Sequence, residues 1–380
     1  MTNRTESPRI LVAAHDPGGG NMLLPIITQL QRTNANVHLC AHGPSAQLWR
    51  AEGWSVSSSF ETCESVFSFV EDFQPDLVLT GTSIAVGDGY RADLEIDFCQ
   101  AAKDKEIPTA AGIDARMNLQ ARFTHTGTGA LVVPDDLCAP DQWTRDQLAK
   151  EAWCTARIHT VGQPHLERVI KNIRESRNKI PSNARPLMVF FSEPVGLGIT
   201  EEQHPGFTQY EVVKLLLHSL SGLAIDLLIQ PHPLENSADW RTFLESVDIS
   251  PPLQVDVSTQ TTPALQTHAD VIFGIGSIAL IETAMAGIPT AALQPNRKHS
   301  VNPRIDAMSN IQKFYSRDGI EGAVRTFATT CTAPVSDPIL AAEISHSCER
   351  FLSVIAAILR ETCPHKPLQS PTAGSLELQS

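Results

Sequence analysis

No C-x-x-C pair occurs in this chain of 380 residues, although it carries eight cysteines: Cys40, Cys63, Cys99, Cys138, Cys154, Cys331, Cys348 and Cys363. Cysteines scattered in this way build neither a zinc ribbon nor a disulfide framework, and they read as reduced thiols of a cytoplasmic protein. The histidines are equally unpatterned: His125, His159, His165 and His218 show no spacing such as H-E-x-x-H, so no metal is expected. Basic charge is scarce. The 29 Lys and Arg are outnumbered by 42 Asp and Glu, for a net charge of -13, which excludes the broad basic surface that nucleic acid or an anionic membrane selects. No apolar run reaches the roughly 18 uninterrupted residues of an integral membrane segment, and the opening MTNRTESPRI lacks a signal-peptide core. A small molecule is the partner class that remains.

What is present is an alternation. Hydrophobic residues make up 42% of the chain, enough for two ordinary cores, because single cores rarely grow beyond roughly 250 residues. Arg9 to Ala14 reads as a buried strand, His15-Asp-Pro-Gly-Gly-Gly-Asn21 as a glycine loop, and Met22 to Gln31 as a helix, the opening of a nucleotide-binding fold. Strands at Val37 to Cys40, Asp76 to Thr80, Thr109 to Gly112 and Ala130 to Val133 alternate with helices at Ser45 to Glu52, Val66 to Phe73, Leu94 to Lys105 and Asp141 to Glu151. That order builds a parallel sheet. The polar stretch Lys171 to Arg185 marks a crossing between domains, with Gln163-Pro164 a candidate hinge. A second series follows, with strands Leu187 to Phe191 and Ile225 to Ile229 and helices Thr208 to Leu220 and Ser237 to Val247.

The most informative segment runs from Ala269 to Pro295. It reads as a strand (Val271 to Phe273), a turn with Gly274 and Gly276, a helix from Ser277 to Ala286, and a strand after Gly287-Ile288-Pro289. Its only charge between Asp270 and Arg297 is Glu282, on a helix otherwise apolar or small on every side. A buried carboxylate needs a partner. The free N–H groups at that helix start suit a phosphate, and Glu282 could accept from a sugar hydroxyl. The plainer alternative is that Glu282 pairs inside its own domain. The two halves also echo one another: Asp76-Leu-Val-Leu-Thr-Gly-Thr-Ser83 with Ile107-Pro-Thr-Ala-Ala111 matches Asp270-Val-Ile-Phe-Gly-Ile-Gly-Ser277 with Ile288-Pro-Thr-Ala-Ala292. Two similar domains account for the echo.

Together these features resemble the GT-B superfamily of nucleotide-sugar glycosyltransferases and UDP-N-acetylglucosamine 2-epimerases. The resemblance spans roughly Arg9 to Leu359 and is sharpest from Gln230 to Pro295. It implies an α/β fold of two Rossmann-like domains facing a cleft: residues 9–170 on the acceptor side and 185–336 on the donor side. A C-terminal helix over 337–362, opened by Asp337 and Pro338, presents Leu340, Ile344, Cys348, Phe351, Ile355 and Leu359 on one face and docks on a domain surface. Residues 363–380 are expected to be a disordered tail. By the same resemblance Gly274, Gly276 and Ser277 look like the donor-diphosphate loop, and Glu282 looks like the acid that holds the ribose. His232, in Gln230-Pro-His-Pro233, is similar to a histidine facing donor phosphate. Gly18, Gly19, Gly20 and Asn21 look like a loop under the reacting centre, Ser192, Gly196, Gly198 and Thr200 like cleft-lining residues, and Arg297, Lys298 and His299 like substrate contacts.

The resemblance implies a metal-independent glycosyltransferase, without a cofactor, acting as a monomer or homodimer on a nucleoside-diphosphate sugar and a small-molecule or glycan acceptor. Gly274 stands where retaining members carry a second acid, and Lys214 and Arg241 are the only Lys or Arg side chains between Arg185 and Arg297. Inversion is therefore expected, and it needs a general base. His15 lies at the carboxyl end of the first strand, where such sheets present ligands, and Asp16 either orients it or acts itself. Asp114, close to Arg116 and Arg122 in sequence, is the next candidate. The ordinary alternatives are a turn at Asp16-Pro17, a helix cap at Asp114 and a solvent-exposed loop histidine at His232. Two other functions compete: a UDP-N-acetylhexosamine 2-epimerase or hydrolase drawing on Asp88, Asp93, Glu95 and Asp114, and a non-catalytic nucleotide-sugar binding protein.

Overall fold

A computed structural model describes residues 6–84, 93–179, 184–196, 200–330 and 338–371; Asp88, Gly198 and Asp337 lie outside the described residues. The chain divides into two compact units, Met1–Arg168 with Ala342–Ser380, and Val169–Ala341. The first unit contains β1 (Arg9–Ala14), α1 (Pro17–Leu30), β2 (Asn36–Ala41), α2 (Gly43–Ala51), α3 (Cys63–Phe73), β3 (Leu77–Thr80), α4 (Leu94–Lys103), β4 (Thr109–Gly112), β5 (Asp136–Ala139), α5 (Gln142–Leu148) and β6 (Arg157–Thr160). Helix α6 (Pro164–Arg177) carries the chain across the division. The second unit contains β7 (Leu187–Phe191), α7 (Gln209–Leu220), β8 (Asp226–Gln230), α8 (Ser237–Glu245), β9 (Gln254–Val257), α9 (Thr262–His268), β10 (Val271–Gly274), α10 (Ile278–Ala286), β11 (Thr290–Leu293), α11 (Pro303–Ala307), β12 (Gln312–Phe314) and α12 (Ile320–Thr330). Helices α13 (Pro338–Ile344) and α14 (Ser347–Thr362) follow, and α14 belongs to the first unit.

The second sheet runs β12-β11-β10-β7-β8-β9, all parallel. Counted within the unit this is the Rossmann order, and it reverses direction between its first strand, β7, and its fourth, β10. The first sheet runs β2-β1-β3-β4-β5-β6. A single parallel bridge from Cys40 to Ser57 adds the trace of a strand beyond β2, so its reversal falls in the corresponding place, between β1 and β3. Apolar runs with no polar face form the middle strands of each sheet, as a sheet covered by helices on both sides requires; β3, β4, β10 and β11 are buried throughout. The repeat reaches individual bonds. Asp76 Oδ2 accepts the Arg9 N–H at 2.8 Å, and Asp270 Oδ2 accepts the Leu187 N–H at the same distance.

Several sequence expectations shift. Helix α1 begins at Pro17, so Gly18, Gly19, Gly20 and Asn21 are helical and not a loop; proline suits the first helical position because its missing N–H would have no partner there. The expected strand at Ala130 to Val133 is only a single bridge from Leu131 to Thr124. The strand is β5, which starts with the buried Asp136 and pairs with the polar β6. Arg157 and His159 of β6 bond that carboxylate at 2.7 Å each, a contact hydrophobic patterning cannot register. The stretch from Lys171, read as a crossing, is helical to Arg177 as part of α6.

The C-terminal helix is two helices. His346 adopts a left-handed φ of 58° between them. Glu167 accepts the His346 and Cys348 N–H groups at 2.7 and 3.0 Å, and Arg350 caps the outgoing carbonyls of Glu343 and Ser345. Beyond the break, Phe351, Ile355, Ile358 and Leu359 join the core formed by Met22, Leu23, Ile26 and Ile10. The segment after α14, expected to lack order, is tied down as far as Gln369: Lys366 pairs with Asp76, and Asn34 bonds Pro367 and Gln369.

Candidate functional site

In the first unit the residues after β1, β3 and β4 converge on the N-terminus of α1. His15 is fully buried, and its backbone N–H donates to Glu95 Oε1 at 2.9 Å. Its ring Nδ1 stands 2.9 Å from Asp16 Oδ1, and the ring stacks on His42 with centroids 6.0 Å apart and planes at 9°. The side chains differ in access: His15 is 1% exposed and Asp16 is 27%. Asp16 occupies the N-cap position of α1 yet makes no capping bond through its side chain, because Oδ1 meets His15 and Oδ2 accepts the Ile84 N–H at 3.1 Å. The carboxylate is thus held at the positive end of a fourteen-residue helix.

Asp114 follows β4 and lies directly over Gly18. A Cβ on Gly18 would collide with Asp114 Oδ2, which is why this turn of α1 is glycine. Asp114 Oδ1 accepts from Arg122 Nη1 at 2.5 Å, and the same guanidinium donates to the Thr82 carbonyl at 2.8 Å and to Met117 O at 3.0 Å. Arg122, which the sequence marks only as a neighbour of Asp114, is only 5% exposed. Glu95, on α4, joins two loops, since beside His15 it accepts from Ser83 Oγ at 2.6 Å. Burial pushes its carboxyl up to about 7, against the opposing pull of the Ser83 and His15 bonds. Unlike Glu282, Glu95 is not the lone acid of its helix, since Asp97 follows two positions on in Leu94-Glu-Ile-Asp-Phe98, and no local pattern marks it. Of the carboxylates proposed for an epimerase, Glu95 and Asp114 are in this cluster. Asp93 instead bonds Thr126 and faces His125.

In the second unit the expected donor residues scatter more widely. Gly274 is the last residue of β10, packed against Leu280 and the Phe191 carbonyl, and is not part of the turn. The Gly276 N–H donates to Glu193 Oε2 at 2.6 Å, while Ser277 caps α10 by accepting the Ala279 N–H at 3.3 Å. Glu282 is 7% exposed and takes the Gln266 amide of α9 on Oε2 at 2.6 Å; burial raises its proton affinity and Gln266 opposes. This is the plainer alternative in structural form: a partner inside its own domain. The Ser192 hydroxyl donates to Glu235 Oε1 at 3.1 Å, and the His232 N–H donates to Glu235 Oε2 at 2.8 Å, so Ser192 and His232 meet through one acid.

Two of the expected substrate contacts, Arg297 and Lys298, lie in other surroundings. Arg297 binds Asp306 Oδ1 at 2.6 Å and Gln294 Oε1 at 2.9 Å, with its guanidinium 3.8 Å over the Tyr315 ring. Lys298 packs along Gly206 and lines a separate cavity of about 820 Å³ beside α7 and α12, with Lys214 and Arg317. Among the described residues no group of three or more His, Cys, Asp and Glu is placed to hold a metal, and no helix is long and apolar enough to cross a membrane.

No protein-family model and no curated protein matches the sequence. The fold does have solved counterparts. The UDP-GlcNAc 2-epimerase of Neisseria meningitidis, bound to UDP-GlcNAc, superposes with a TM-score of 0.62 at 14% identity, covering 91% of this chain and 99% of that one. The UDP-GlcNAc 2-epimerase of Methanocaldococcus jannaschii gives 0.62 at 12% identity, covering 92% and 99%. MurG of Acinetobacter baumannii gives 0.51 at 12% identity, covering 93% and 99%. At such identities the likeness is one of fold alone, the two-domain α/β arrangement known as GT-B.

Proposed function

We propose that the protein is an enzyme acting on a nucleoside-diphosphate sugar, transferring the sugar with inversion to a small-molecule or glycan acceptor. The observation that carries this reading is the His15–Asp16 pair at the N-terminus of α1, where the first sheet reverses direction. Asp16 is the accessible member of the pair and so the better placed to accept a proton from an acceptor hydroxyl. His15, its Nδ1 2.9 Å away, orients that carboxylate. Asp114, held by Arg122, is the second carboxylate within the same cluster. The donor is assigned to the second unit, at the loop of Gly276 and Ser277, with His232 beside it in the Ser192 and Glu235 network.

A second reading, a sugar-nucleotide 2-epimerase or hydrolase, draws support from the gathering of Asp16, Asp114 and Glu95 in one cluster, since that chemistry needs more than one acid or base around the sugar. The epimerase names of two fold counterparts agree with it. One experiment separates the two. A thermal-shift panel of UDP-, GDP-, CDP-, dTDP- and ADP-sugars selects the ligand that stabilises the protein, and that sugar nucleotide is then incubated without acceptor and followed by NMR. A transferase leaves it intact until an acceptor is added; an epimerase or hydrolase converts it alone. Asp16→Asn should lower turnover about 100-fold or more with stabilisation by the sugar nucleotide retained. Full activity in Asp16→Asn would remove the assigned base, and a panel with no stabilising member would remove the substrate class.

A further inference from the structure

Gly276 has both of its backbone polar groups bonded by side chains of its own unit. Its N–H donates to Glu193 Oε2 at 2.6 Å, and its carbonyl accepts from Asn302 Nδ2 at 2.8 Å. A Cβ at this position would stand 2.7 Å from Val301 Cγ1 and 3.2 Å from the same Glu193 oxygen. The amide that ends the β10 turn, where the sheet reverses direction, therefore already carries a carboxyl oxygen. Glu193 leaves β7 on the other side of that reversal. A second carboxylate, Glu235, acts on it from the loop after β8, itself held by Ser192, Gln209 and the His232 N–H. Of the titratable groups on neighbouring turns, His232 accepts the Leu234 N–H through Nδ1, and His204 accepts the Gly206 N–H through Nδ1 while packing under Gly196. Val301 and Asn302, before α11, are neutral. Neither Arg297 nor Lys298 offsets the two acids, because Arg297 is bound to Asp306 and Lys298 lines the separate cavity.

Resting on the nucleotide-sugar reading, we propose that Glu193 is a specificity-determining residue of the donor site. In the free protein its carboxylate takes the place of a phosphate oxygen on the Gly276 N–H. When the donor diphosphate takes that amide, Glu193 gains one proton from solvent and donates an O–H bond to the phosphate it would otherwise repel. The balance is one proton taken up for each donor bound, and no covalent bond changes. Burial, the largest influence, and Glu235 both push the Glu193 carboxyl up, and only the Gly276 bond opposes them. Protonation on binding therefore follows the direction in which the site already leans. The consequence is a loop selective for ligands whose phosphates carry one charge each, as in a sugar diphosphate, over the more highly charged free pyrophosphate.

The test uses the full chain and the tightest-binding member of the sugar-nucleotide panel, whose diphosphate does not titrate near neutrality. Calorimetry at about pH 6 and about pH 8, in two buffers of different ionisation heat, reads affinity and proton uptake together. The native protein should bind more weakly as pH rises, by up to about tenfold per pH unit, and take up close to one proton. Glu193→Gln and Glu193→Ala should each bind more tightly at the higher pH, lose the pH dependence and take up no proton, with melting curves confirming that both variants are folded. Affinity and proton uptake unchanged in both variants would overturn the role of Glu193 and leave the donor reading intact. Absence of binding to all three proteins would overturn the donor reading and this inference with it.

Discussion

Glu95 ties two loops of the first unit together. Its carboxylate is buried, bonds one loop through the His15 N–H and another through Ser83, and is raised from an ordinary value of 4.5 to about 7. A carboxyl with a higher pKa folded than unfolded binds a proton on folding, so its contribution to stability is greatest at low pH and declines as pH rises from about 4.5 to about 7. Glu95→Gln should flatten that decline, removing a pH dependence of at most about 3 kcal/mol between about pH 5 and about pH 8 in urea unfolding curves. An identical slope in the variant would show that Glu95 does not titrate in the folded protein. At this scale the sequence was only partly legible. His15, Asp16 and Asp114 were singled out because strand ends present ligands, and the structure gathers them. Arg122 and Ser83 were missed because their importance lies in bonds to Thr82, Asp114 and Glu95, and no local pattern announces such partners.

At the scale of elements, most strands and helices were readable because β1, β3, β4, β7, β10 and β11 are continuous apolar runs between glycine- or proline-rich turns. Of the elements that went unread, which also include α6, β9, α9, α11, β12 and α12, β5 and β6 are held by the Asp136 cluster and the α13–α14 break by Glu167 and Arg350. Leu340 to Leu359 keeps a helical period through the break, so the sequence alone reads one helix. Glu167 acts as a surrogate N-cap, supplying to α14 the acceptor that His346 lacks. Glu167→Ala should cost about 1 kcal/mol in chemical denaturation and speed amide exchange at Cys348, with little effect on β7 to β12. Unchanged exchange there would mean that the break is set by Arg350 alone.

At the scale of the whole molecule, the last helix completes the first unit. Phe351, Ile355, Ile358 and Leu359 are each no more than 2% exposed against α1 and the sheet beneath it. Burying four such side chains contributes about 6–12 kcal/mol, comparable with the entire stability of an ordinary domain. Ending the chain at Thr330 should therefore unfold the first unit and leave the second folded. Hydrogen exchange would then show protection lost in β1 and β3 and kept in β7 and β10. Protection retained in β1 would indicate that α14 is an ornament on a unit stable without it.

The sequence by itself determined the architecture: hydrophobic periodicity and turn residues are local, and they prescribed two parallel sheets, their repeat around Ile107-Pro-Thr and Ile288-Pro-Thr, and the strand ends where ligands belong. Tertiary structure decided how charge is used at those ends. Glu282 pairs with Gln266, Arg297 with Asp306 and Glu193 with the Gly276 amide, while Asp16 stays accessible and His15 does not. The physical reason is one of range. Periodicity acts over a few residues, whereas the partner of a buried charge is chosen by whichever donor folding brings within about 3 Å, and Glu193 and Gly276 are separated by 83 positions of chain.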